Sequence, residues 1–478
     1  MNNFKIFRLF LVILILLSEP VTIPAQTKHL TGLILNPVKY AKIETISPAL
    51  KFTEPDKDIY SLKQYCPTPG DQGQIGSCTS WATGYAALTI SQAIAENNTN
   101  TKDITNRARS ALYIYNQIKK GGCKDGAQTE DAIKLVQEKG DCDFKDFNPN
   151  DCRVTPSMKE DAEAKDYKIK DHYTLWNNYA SPIQKILTTI NSLSSSKPVI
   201  ISLALKASFN RVSNDGLYNP KDYEKDDGYH ALCVIGYDNT KKRFEIINSW
   251  GTNWGNKGFF YISYEDYGRY CKEGYQFSIA FKEMPKQQIQ GGFQLSKYSG
   301  KDENGNNQFK SISTFYGSDN FYHTSTTINL DDFFRLKARN LIKDSYVYIF
   351  SYKPNNTSEI LFPLHYNSKN SVFDIPLVTS SNSILELPEN YGNAYSAEQR
   401  GEDILCILYS NKRIVNLDRL IKEIPNYNGD LWKWYKDLFK KDSIDPSYIT
   451  YSPFEMGINT KVGFKGSIVP LFFKVKVQ

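Results

Sequence analysis

Cys78 lies in a stretch whose residue types suit nucleophilic chemistry. It follows Gln72 and a run of small and turn-forming residues, and an apolar pattern begins three residues later at Trp81. Apolar residues at i, i+4 and i+7 from Trp81 predict a helix, so Cys78 is expected at a helix N-terminus. There the helix dipole and unpaired N–H groups favour a thiolate over a thiol. We therefore predict that Cys78 is a nucleophile; a buried structural cysteine is the alternative.

A thiolate nucleophile needs a base, and the base needs a group that orients it. Of the five histidines, His230 lies in the run DGYHALCVIGYD, and Asn248 follows 18 residues later in a second run of similar composition. Both runs are rich in Val, Ile, Phe and Tyr with Gly or Asp at their ends, which is typical of strands. Adjacent antiparallel strands would place His230 and Asn248 side by side. The side-chain amide of Gln72 is expected to point at the group that Cys78 attacks.

Three runs, QGQIGSC, YHALCVIGYD and NSWGTNWGNKGFF, resemble the papain-like cysteine peptidases in their residues, order and spacing. The resemblance covers residues 58 to 282 and implies an acyl-transfer mechanism. The Cys78 thiolate attacks a peptide carbonyl and forms a thioester, while His230 protonates the leaving amine. The resemblance therefore implies a peptidase, expected to be an endopeptidase, that acts on a protein or peptide substrate.

The same resemblance implies roles for the neighbouring residues. Asn248 would hold the imidazole in the useful tautomer, and Trp250 would shield that hydrogen bond from water. Gln72 and the backbone N–H of Cys78 would form an oxyanion hole, in which one donor is usually worth about 3 kcal/mol. The residues expected to contact substrate are Gly126, Ser202, Tyr229 and Trp250.

Two positions depart from the family pattern. Members usually carry Trp directly after the cysteine, whereas here Thr79 and Ser80 precede Trp81. Members also carry a glycine pair in the cleft, whereas here Gly126 is followed by Ala127. The first departure changes the packing beside the nucleophile, and the second alters the docking of a substrate backbone.

The implied fold class is α+β. A papain-like catalytic domain with a helical left half and a β-rich right half is followed by an antiparallel β-rich accessory domain with a small helical insert. The predicted elements agree with this order, since helices come first and strands follow Pro198. The predicted segments are a signal peptide over 1–25, an N-terminal arm over 26–57, the peptidase domain over 58–285, a linker over 286–310 and the accessory domain over 311–478.

The first 25 residues have the pattern of a secretory signal peptide. Lys5 and Arg8 give a positive start, an apolar run extends from Leu9 to Leu17, and Ala25 ends a tolerable cleavage site. An uncleaved membrane anchor is the alternative, but a spanning helix needs about 20 apolar residues. We therefore expect an exported protein, secreted or periplasmic, with no membrane span in the mature chain. We also expect a bacterial source.

The N-terminal arm, residues 26–57, is short and contains three prolines. Many papain-like zymogens carry a long helical propeptide, and this segment has neither the length nor the charge pattern of one. We expect a short strand or arm that packs on the catalytic domain. We further expect that activation needs no more than removal of the signal peptide.

Eight cysteines fit an exported enzyme. Cys123 is expected to bridge to Cys152 or to Cys142, and the sequence leaves this choice open. Cys233 and Cys406 lie in strand patterns and are expected to be buried thiols. A zinc site is the alternative, but no paired C-x-x-C is present, and an oxidising compartment favours disulfides. We expect no metal ion and no cofactor.

The charge pattern indicates neither a nucleic-acid partner nor a calcium loop. A net charge of +6 over 478 residues, without a dense Lys/Arg run, does not indicate a nucleic-acid partner. The acidic run from Asp141 to Cys152 lacks the ligand spacing of a calcium loop and is expected to be a solvated loop. The run from Asp302 to Asn307 is expected to be a turn between strands.

Beyond the predicted linker the chain is rich in short strand patterns, which suggests a sandwich or barrel. The run SYVYIFSYKPNN followed by ILFP resembles a β-rich bacterial domain of uncharacterised role, the DUF4384 type. An envelope component or a protein is the expected ligand of this domain. Two alternatives to a hydrolase are a catalytically silent binding scaffold that acts through this domain and a transpeptidase that uses the same site.

Overall fold

The computed structural model describes residues 29–52, 57–279, 288–339, 341–353, 355–363, 374–378, 383–389, 394–397 and 399–478. The predicted signal peptide over 1–25 lies outside the described residues. The described chain has the predicted α+β fold class, with helices and strands in the first half and a β-rich second half. No helix among the described residues is long and apolar enough to cross a membrane.

The helix that begins at Cys78 is unbroken to Ala95, and its middle part, Trp81–Leu88, has π-helical geometry. Every residue of that middle part is buried, so this helix lies in the interior of the first half. The other helices of the first half are Pro37–Tyr40, Thr101–Asn106, Ala111–Ile118, Thr129–Glu138, Met158–Ala164, Pro182–Ser194 and Tyr264–Tyr270, with single 3₁₀ turns at Lys63–Tyr65 and Ala207–Arg211.

The sheet of the first half is mostly antiparallel. Its strand Asp226–Asp238 carries His230 and pairs with Val199–Lys206 on one side and Arg243–Ile247 on the other. This strand is therefore fixed from both sides, which positions His230. The remaining strands of the first half are Thr45–Ile46, Leu50–Phe52, Ile59–Ser61, Ile169–Thr174, Leu217–Tyr218, Phe259–Ser263 and Cys271–Ile279.

The second half forms two sheets that pack face to face. The Tyr409 ring of one sheet lies on Gly291 of the other, and its hydroxyl donates a hydrogen bond of 3.0 Å to the Gly292 carbonyl. Their strands from this half are Gln290–Lys301, Asn307–Ser311, Thr314–Tyr316, Tyr322–Thr324, Phe333–Arg339, Tyr346–Tyr352, Ser358–Phe362, Ser383–Leu387, Tyr395–Ser396, Gly401–Ser410, Ile449–Tyr451, Gly457–Thr460 and Ile468–Val477. One further strand, Asp374–Ile375, lies at the edge of the sheet of the first half. The helices are Leu417–Ile421 and Leu431–Phe439, with 3₁₀ turns at Ile424–Tyr427, Lys440–Asp442 and Pro446–Tyr448.

Among the described residues, the strands of these two sheets pair antiparallel with one exception. Tyr322–Thr324 pairs in parallel with Ile468–Val477. The strand Tyr346–Tyr352, whose alternating aromatic residues suggest one exposed face, is buried along its whole length. It therefore offers no surface to a ligand.

The N-terminal arm joins the two halves. Thr45–Ile46 pairs with Ile169–Thr174 of the first half and with Asp374–Ile375 of the second. A few residues later, Leu50–Phe52 pairs with Ser383–Leu387 of the second half. The arm does not belong to the catalytic domain alone, because its strands complete sheets in both halves.

The predicted linker over 286–310 is wrong for most of its length. Gln290–Lys301 is a strand, and its Phe293 and Leu295 side chains are buried. Gly291, the first glycine of the pair, instead lets the Tyr409 ring approach the backbone closely. The predicted turn from Asp302 to Asn307 does connect two paired strands.

The predicted disulfide is present as Cys123–Cys152, and Cys142 is a buried free thiol. The acidic run from Asp141 to Cys152 is only partly a solvated loop, because Asp146, Asn148 and Asn150 are exposed whereas its first residues are buried. Asp141 is fully buried, and Asp143 forms an ion pair of 2.6 Å with the buried guanidinium of Arg109. Burial raises the pKa of the Asp141 carboxyl well above its usual value.

Candidate active site

Backbone hydrogen bonds join the loop before Cys78 to the loop after Asn248. The Gln72 N–H donates to the Ser249 carbonyl at 2.8 Å, and the Gly251 N–H donates to the Gly70 carbonyl at 2.9 Å. These contacts bring two segments that are far apart in sequence to one place, as the predicted catalytic site requires.

His230 and Asn248 meet in the predicted way. His230 lies on the strand Asp226–Asp238, and its Nε2 is 2.8 Å from Asn248 Oδ1. The backbone N–H of Ser249 donates to the same oxygen at 2.8 Å, so this oxygen is an acceptor. The imidazole therefore carries its proton on Nε2, and Nδ1 is left as the basic nitrogen. Nδ1 is buried and has no hydrogen-bond partner among the described residues.

Cys78 lies beside His230. Its Sγ is within hydrogen-bond reach of the backbone N–H of Ala231, the residue directly after His230. Burial raises the pKa of the Cys78 thiol, and burial lowers the pKa of the His230 imidazole to about 4. Burial of the thiol thus opposes the effect of the helix N-terminus on its pKa.

Gln72 is fixed at both ends of its side-chain amide. Oε1 accepts a hydrogen bond of 2.6 Å from the Ser249 hydroxyl, and Nε2 donates to the Ile75 carbonyl at 3.0 Å. Nε2 also donates to the carbonyl oxygen of Leu30 at 2.8 Å. The amide is thus oriented so that its N–H group already holds a peptide carbonyl.

Trp250 covers the imidazole. Its ring centroid is 5.1 Å from that of His230, and 2% of the residue is exposed. The ring of His29 stacks on Trp250 at 5.0 Å with an interplanar angle of 11°. His29 Nε2 is also 3.1 Å from Asp71 Oδ1, and this hydrogen bond lowers the pKa of the Asp71 carboxyl.

Residues 29–36, here called the covering segment, lie across the site. Its Gly32 carbonyl accepts from the Ala127 N–H at 2.8 Å, and its Ile34 N–H donates to the Ala127 carbonyl at 3.0 Å. These bonds form a parallel bridge between Leu33 and Ala127. The backbone of Gly32 is also near enough to Cys78 to lower the pKa of its thiol, against the larger effect of burial.

The four residues expected to contact substrate differ in position. Gly126 and Trp250 both contact the covering segment. Ser202 is fully buried, and its hydroxyl donates to the carboxylate of Glu273 at 2.7 Å. Tyr229 is 39% exposed on the strand that carries His230.

Sequence reasoning missed Ser249 and the covering segment. Ser249 directly follows Asn248, and a hydroxyl beside a predicted site residue is a usable signal. The covering segment has a weaker signal in Gly32, the one glycine between residues 26 and 57. A lone glycine in a short arm does not show which surface the arm approaches.

The comparisons with known proteins agree with this geometry. Residues 56–281 match the model of the papain family cysteine proteases. An uncharacterized peptidase C1-like protein of Acanthamoeba polyphaga mimivirus is 30% identical over 203 residues, 41% of this chain and 64% of that protein. Cathepsin K of Mus musculus is 29% identical over 237 residues, 48% of this chain and 67% of that protein.

Solved structures are also similar to the first half. Xylellain, a cysteine protease from Xylella fastidiosa, has 23% sequence identity and a TM-score of 0.39, over 51% of this chain and 98% of that chain. The bromelain protease from Ananas comosus, solved with the inhibitor E64, has 15% identity and a TM-score of 0.37, over 46% of this chain and 99% of that chain. This chain spans less than two thirds of the mimivirus protein.

Proposed function

Residues 56–281 belong to the papain family of cysteine proteases, and from this premise we propose that the chain hydrolyses peptide bonds through Cys78. The observation that carries the proposal is the hydrogen bond between His230 Nε2 and Asn248 Oδ1. It leaves Nδ1 as the basic nitrogen of a ring that lies next to Cys78. This arrangement is what a cysteine nucleophile needs, because a base must remove the thiol proton.

In the first step the thiol proton moves from Cys78 Sγ to His230 Nδ1, and the sulfur attacks the carbonyl carbon of the substrate. The carbonyl π electrons move to the oxygen, which becomes an oxyanion. Gln72 Nε2 is the donor for that oxygen, since its amide is already oriented toward a peptide carbonyl. A preorganised donor of this kind stabilises the transition state more than the ground state.

In the second step the tetrahedral intermediate collapses and the carbon–nitrogen bond breaks. The imidazolium of His230 gives its Nδ1 proton to the leaving amine, and a thioester on Cys78 remains. Water then attacks the thioester, its proton passing to Nδ1, and that proton returns to the sulfur as the acid product leaves. Asn248 accepts the Nε2 hydrogen bond throughout, so it keeps Nδ1 directed at the reacting atoms.

The test is covalent labelling by an epoxide inhibitor of the papain type, read by intact mass. Three proteins are compared. The first is the chain from residue 26, the second is its Cys78→Ala variant, and the third keeps Cys78 but begins at residue 37, so that it lacks residues 26–36. We expect one adduct on each protein that carries Cys78 and none on Cys78→Ala. Absence of an adduct on both proteins that carry Cys78, when folded and reduced, would contradict the proposal.

We also propose that the protein is exported after cleavage near Ala25. The support is the pattern of the first 25 residues together with the disulfide Cys123–Cys152, which is typical of an oxidising compartment. Expression of the whole chain in a bacterial host should give a periplasmic or secreted product whose mass corresponds to a start at Gln26. A cytoplasmic product with the mass of the whole chain would count against export.

A further inference from the structure

The backbone of Ala127, here called the Ala127 edge, holds an extended chain beside the proposed nucleophile. Its N–H donates to the Gly32 carbonyl at 2.8 Å, and its carbonyl accepts from the Ile34 N–H at 3.0 Å. The edge directly follows Gly126, which is expected to contact substrate. A substrate chain on this edge needs a fixed distance between the edge and Cys78, because the scissile carbonyl must lie next to the sulfur.

A turn of four residues, Gly122–Asp125, lies between this edge and the chain just before the nucleophile, and it is here called the edge turn. The Asp125 N–H donates to the Gly122 carbonyl at 3.0 Å, and the Gly122 N–H donates to Asp125 Oδ2 at 2.6 Å. A Cβ atom on Gly76 would be 3.0 Å from the Asp125 carbonyl oxygen. The distance between the edge and the nucleophile therefore depends on the edge turn.

The hydroxyl of Tyr115 lies against the carbonyl groups of the edge turn. Tyr115 belongs to the helix Ala111–Ile118 and is fully buried. Its hydroxyl donates a hydrogen bond to the Asp125 carbonyl, the nearest of three. The same hydroxyl oxygen is 3.2 Å from the Cys123 carbonyl oxygen and 3.4 Å from that of Gly122. One side chain on a helix thus reaches three of the four residues of the edge turn.

The Tyr115 hydroxyl keeps its proton at neutral pH and remains a donor. Burial, the Asp125 carboxylate and Cys78 together raise the pKa of Tyr115 to about 12. The effect of Cys78 on this pKa also means that the phenol lies near the nucleophile. Because a buried carbonyl that loses its donor is costly, the hydrogen bond from Tyr115 favours one position of the edge turn.

We propose that Tyr115 is a positioning residue: its hydroxyl fixes the edge turn, so that Ala127 holds a substrate backbone at the distance from Cys78 that the reaction needs. The inference rests on the proposed peptidase function. Tyr115 acts through the Asp125 carbonyl and does not itself contact the reacting atoms. Loss of its hydroxyl should therefore weaken the binding of a peptide backbone and leave the reactivity of the sulfur unchanged.

The test removes one hydroxyl and keeps the ring, in Tyr115→Phe. Tyr113→Phe is the matched control, because Tyr113 is buried on the same helix and its hydroxyl donates at 2.7 Å to Asp161, which is not part of the proposed site. Both variants are made in the chain that lacks residues 26–36, so that the Ala127 edge is free for substrate. The thermal unfolding of each protein is compared with that of the chain from residue 26.

Two thiol reagents separate the edge from the sulfur. A peptidyl epoxide docks its backbone on the edge, whereas iodoacetamide reaches the sulfur without doing so. We expect Tyr115→Phe to slow labelling by the epoxide about 5- to 20-fold and to raise KM for a peptide substrate by a similar factor. We expect kcat and the rate with iodoacetamide to stay unchanged. An equal loss with both reagents, or no loss with the epoxide, would overturn the inference.

Hydrogen exchange in the chain from residue 26 gives a readout that does not depend on activity. The amide of Gly76, which donates to the Cys123 carbonyl at 2.8 Å, and the amides of residues 122–127 should exchange faster in Tyr115→Phe. The same amides should be unchanged in Tyr113→Phe. Unchanged exchange in Tyr115→Phe would overturn the inference and leave the peptidase function standing. Absence of epoxide labelling in every protein, with faster exchange in Tyr115→Phe, would instead contradict the peptidase function.

Discussion

The side chains of His230 and Asn248 lie 2.8 Å apart, from Nε2 to Oδ1. The Asn248 oxygen also accepts the backbone N–H of Ser249, so the amide cannot turn over without losing that hydrogen bond. One fixed acceptor therefore selects one imidazole tautomer, in which Nδ1 is the basic nitrogen.

We expect Asn248→Ala to lower kcat/KM for a peptide substrate about 10²-fold, because the imidazole then populates both tautomers and several orientations. The variant is made in the chain that lacks residues 26–36, so that the covering segment does not limit access to the site. The measurement is the pH profile of kcat/KM, whose limbs should shift as well as fall, since the hydrogen bond that His230 donates to Asn248 raises the pKa of His230. Asn426→Ala, in the second half, is the control; an unchanged profile in Asn248→Ala would contradict the positioning role.

Gln72→Ala in the same background should lower kcat about 10²- to 10³-fold with a smaller change in KM, because the amide acts on the oxyanion and less on the ground state. Steady-state kinetics with one fluorogenic peptide would separate the two constants. Gln74→Ala is the matched control, since Gln74 is exposed and two residues further along the chain. A rise in KM at constant kcat would show that Gln72 binds substrate without stabilising the oxyanion.

The identity of the site residues is more predictable from the sequence than the environment of Cys78. Cys78, His230 and Asn248 lie in segments whose local sequence predicts a helix start and two strands. Hydrophobic periodicity determines these elements, so the sequence alone predicts them. The burial of Cys78 is not predictable in this way. A helix N-terminus is visible in the sequence, whereas the burial that raises the pKa of the thiol depends on packing against segments distant in sequence.

The boundaries between units were the least predictable part of the fold. A glycine pair before Phe293 is typical of a linker, but its first member, Gly291, allows a tyrosine from another sheet to pack on the strand. The arm was assigned to one domain, yet Thr45–Ile46 and Leu50–Phe52 complete sheets in both halves. Pairing between strands distant in sequence leaves no local signal, because each strand needs only an extended, apolar pattern.

The buried imidazole makes the stability of the protein depend on pH. The pKa of His230 is lowered from 6.5 to about 4, so the unfolded chain binds a proton more readily than the folded chain in this range. The corresponding stability is fully present above pH 6.5 and is lost as the pH falls through 4, a change of up to about 3 kcal/mol. Thermal unfolding between pH 7 and 4 should show a shallower loss for His230→Gln. Parallel curves for the two proteins would contradict a buried neutral imidazole.

The disulfide Cys123–Cys152 should stabilise the loop that supports the turn before Cys78. The Cys123 carbonyl accepts the Gly76 N–H at 2.8 Å, and the bridge closes a separation of 29 residues. Its loss should lower the free energy of unfolding by about 3 kcal/mol and the Tm by about 5 to 10 °C. The measurement is the Tm with and without reductant in the Cys78→Ala background, compared with a variant that also carries Cys123→Ser and Cys152→Ser. Reductant should lower the Tm of the first protein only; an equal effect on both would point to a different pair of cysteines.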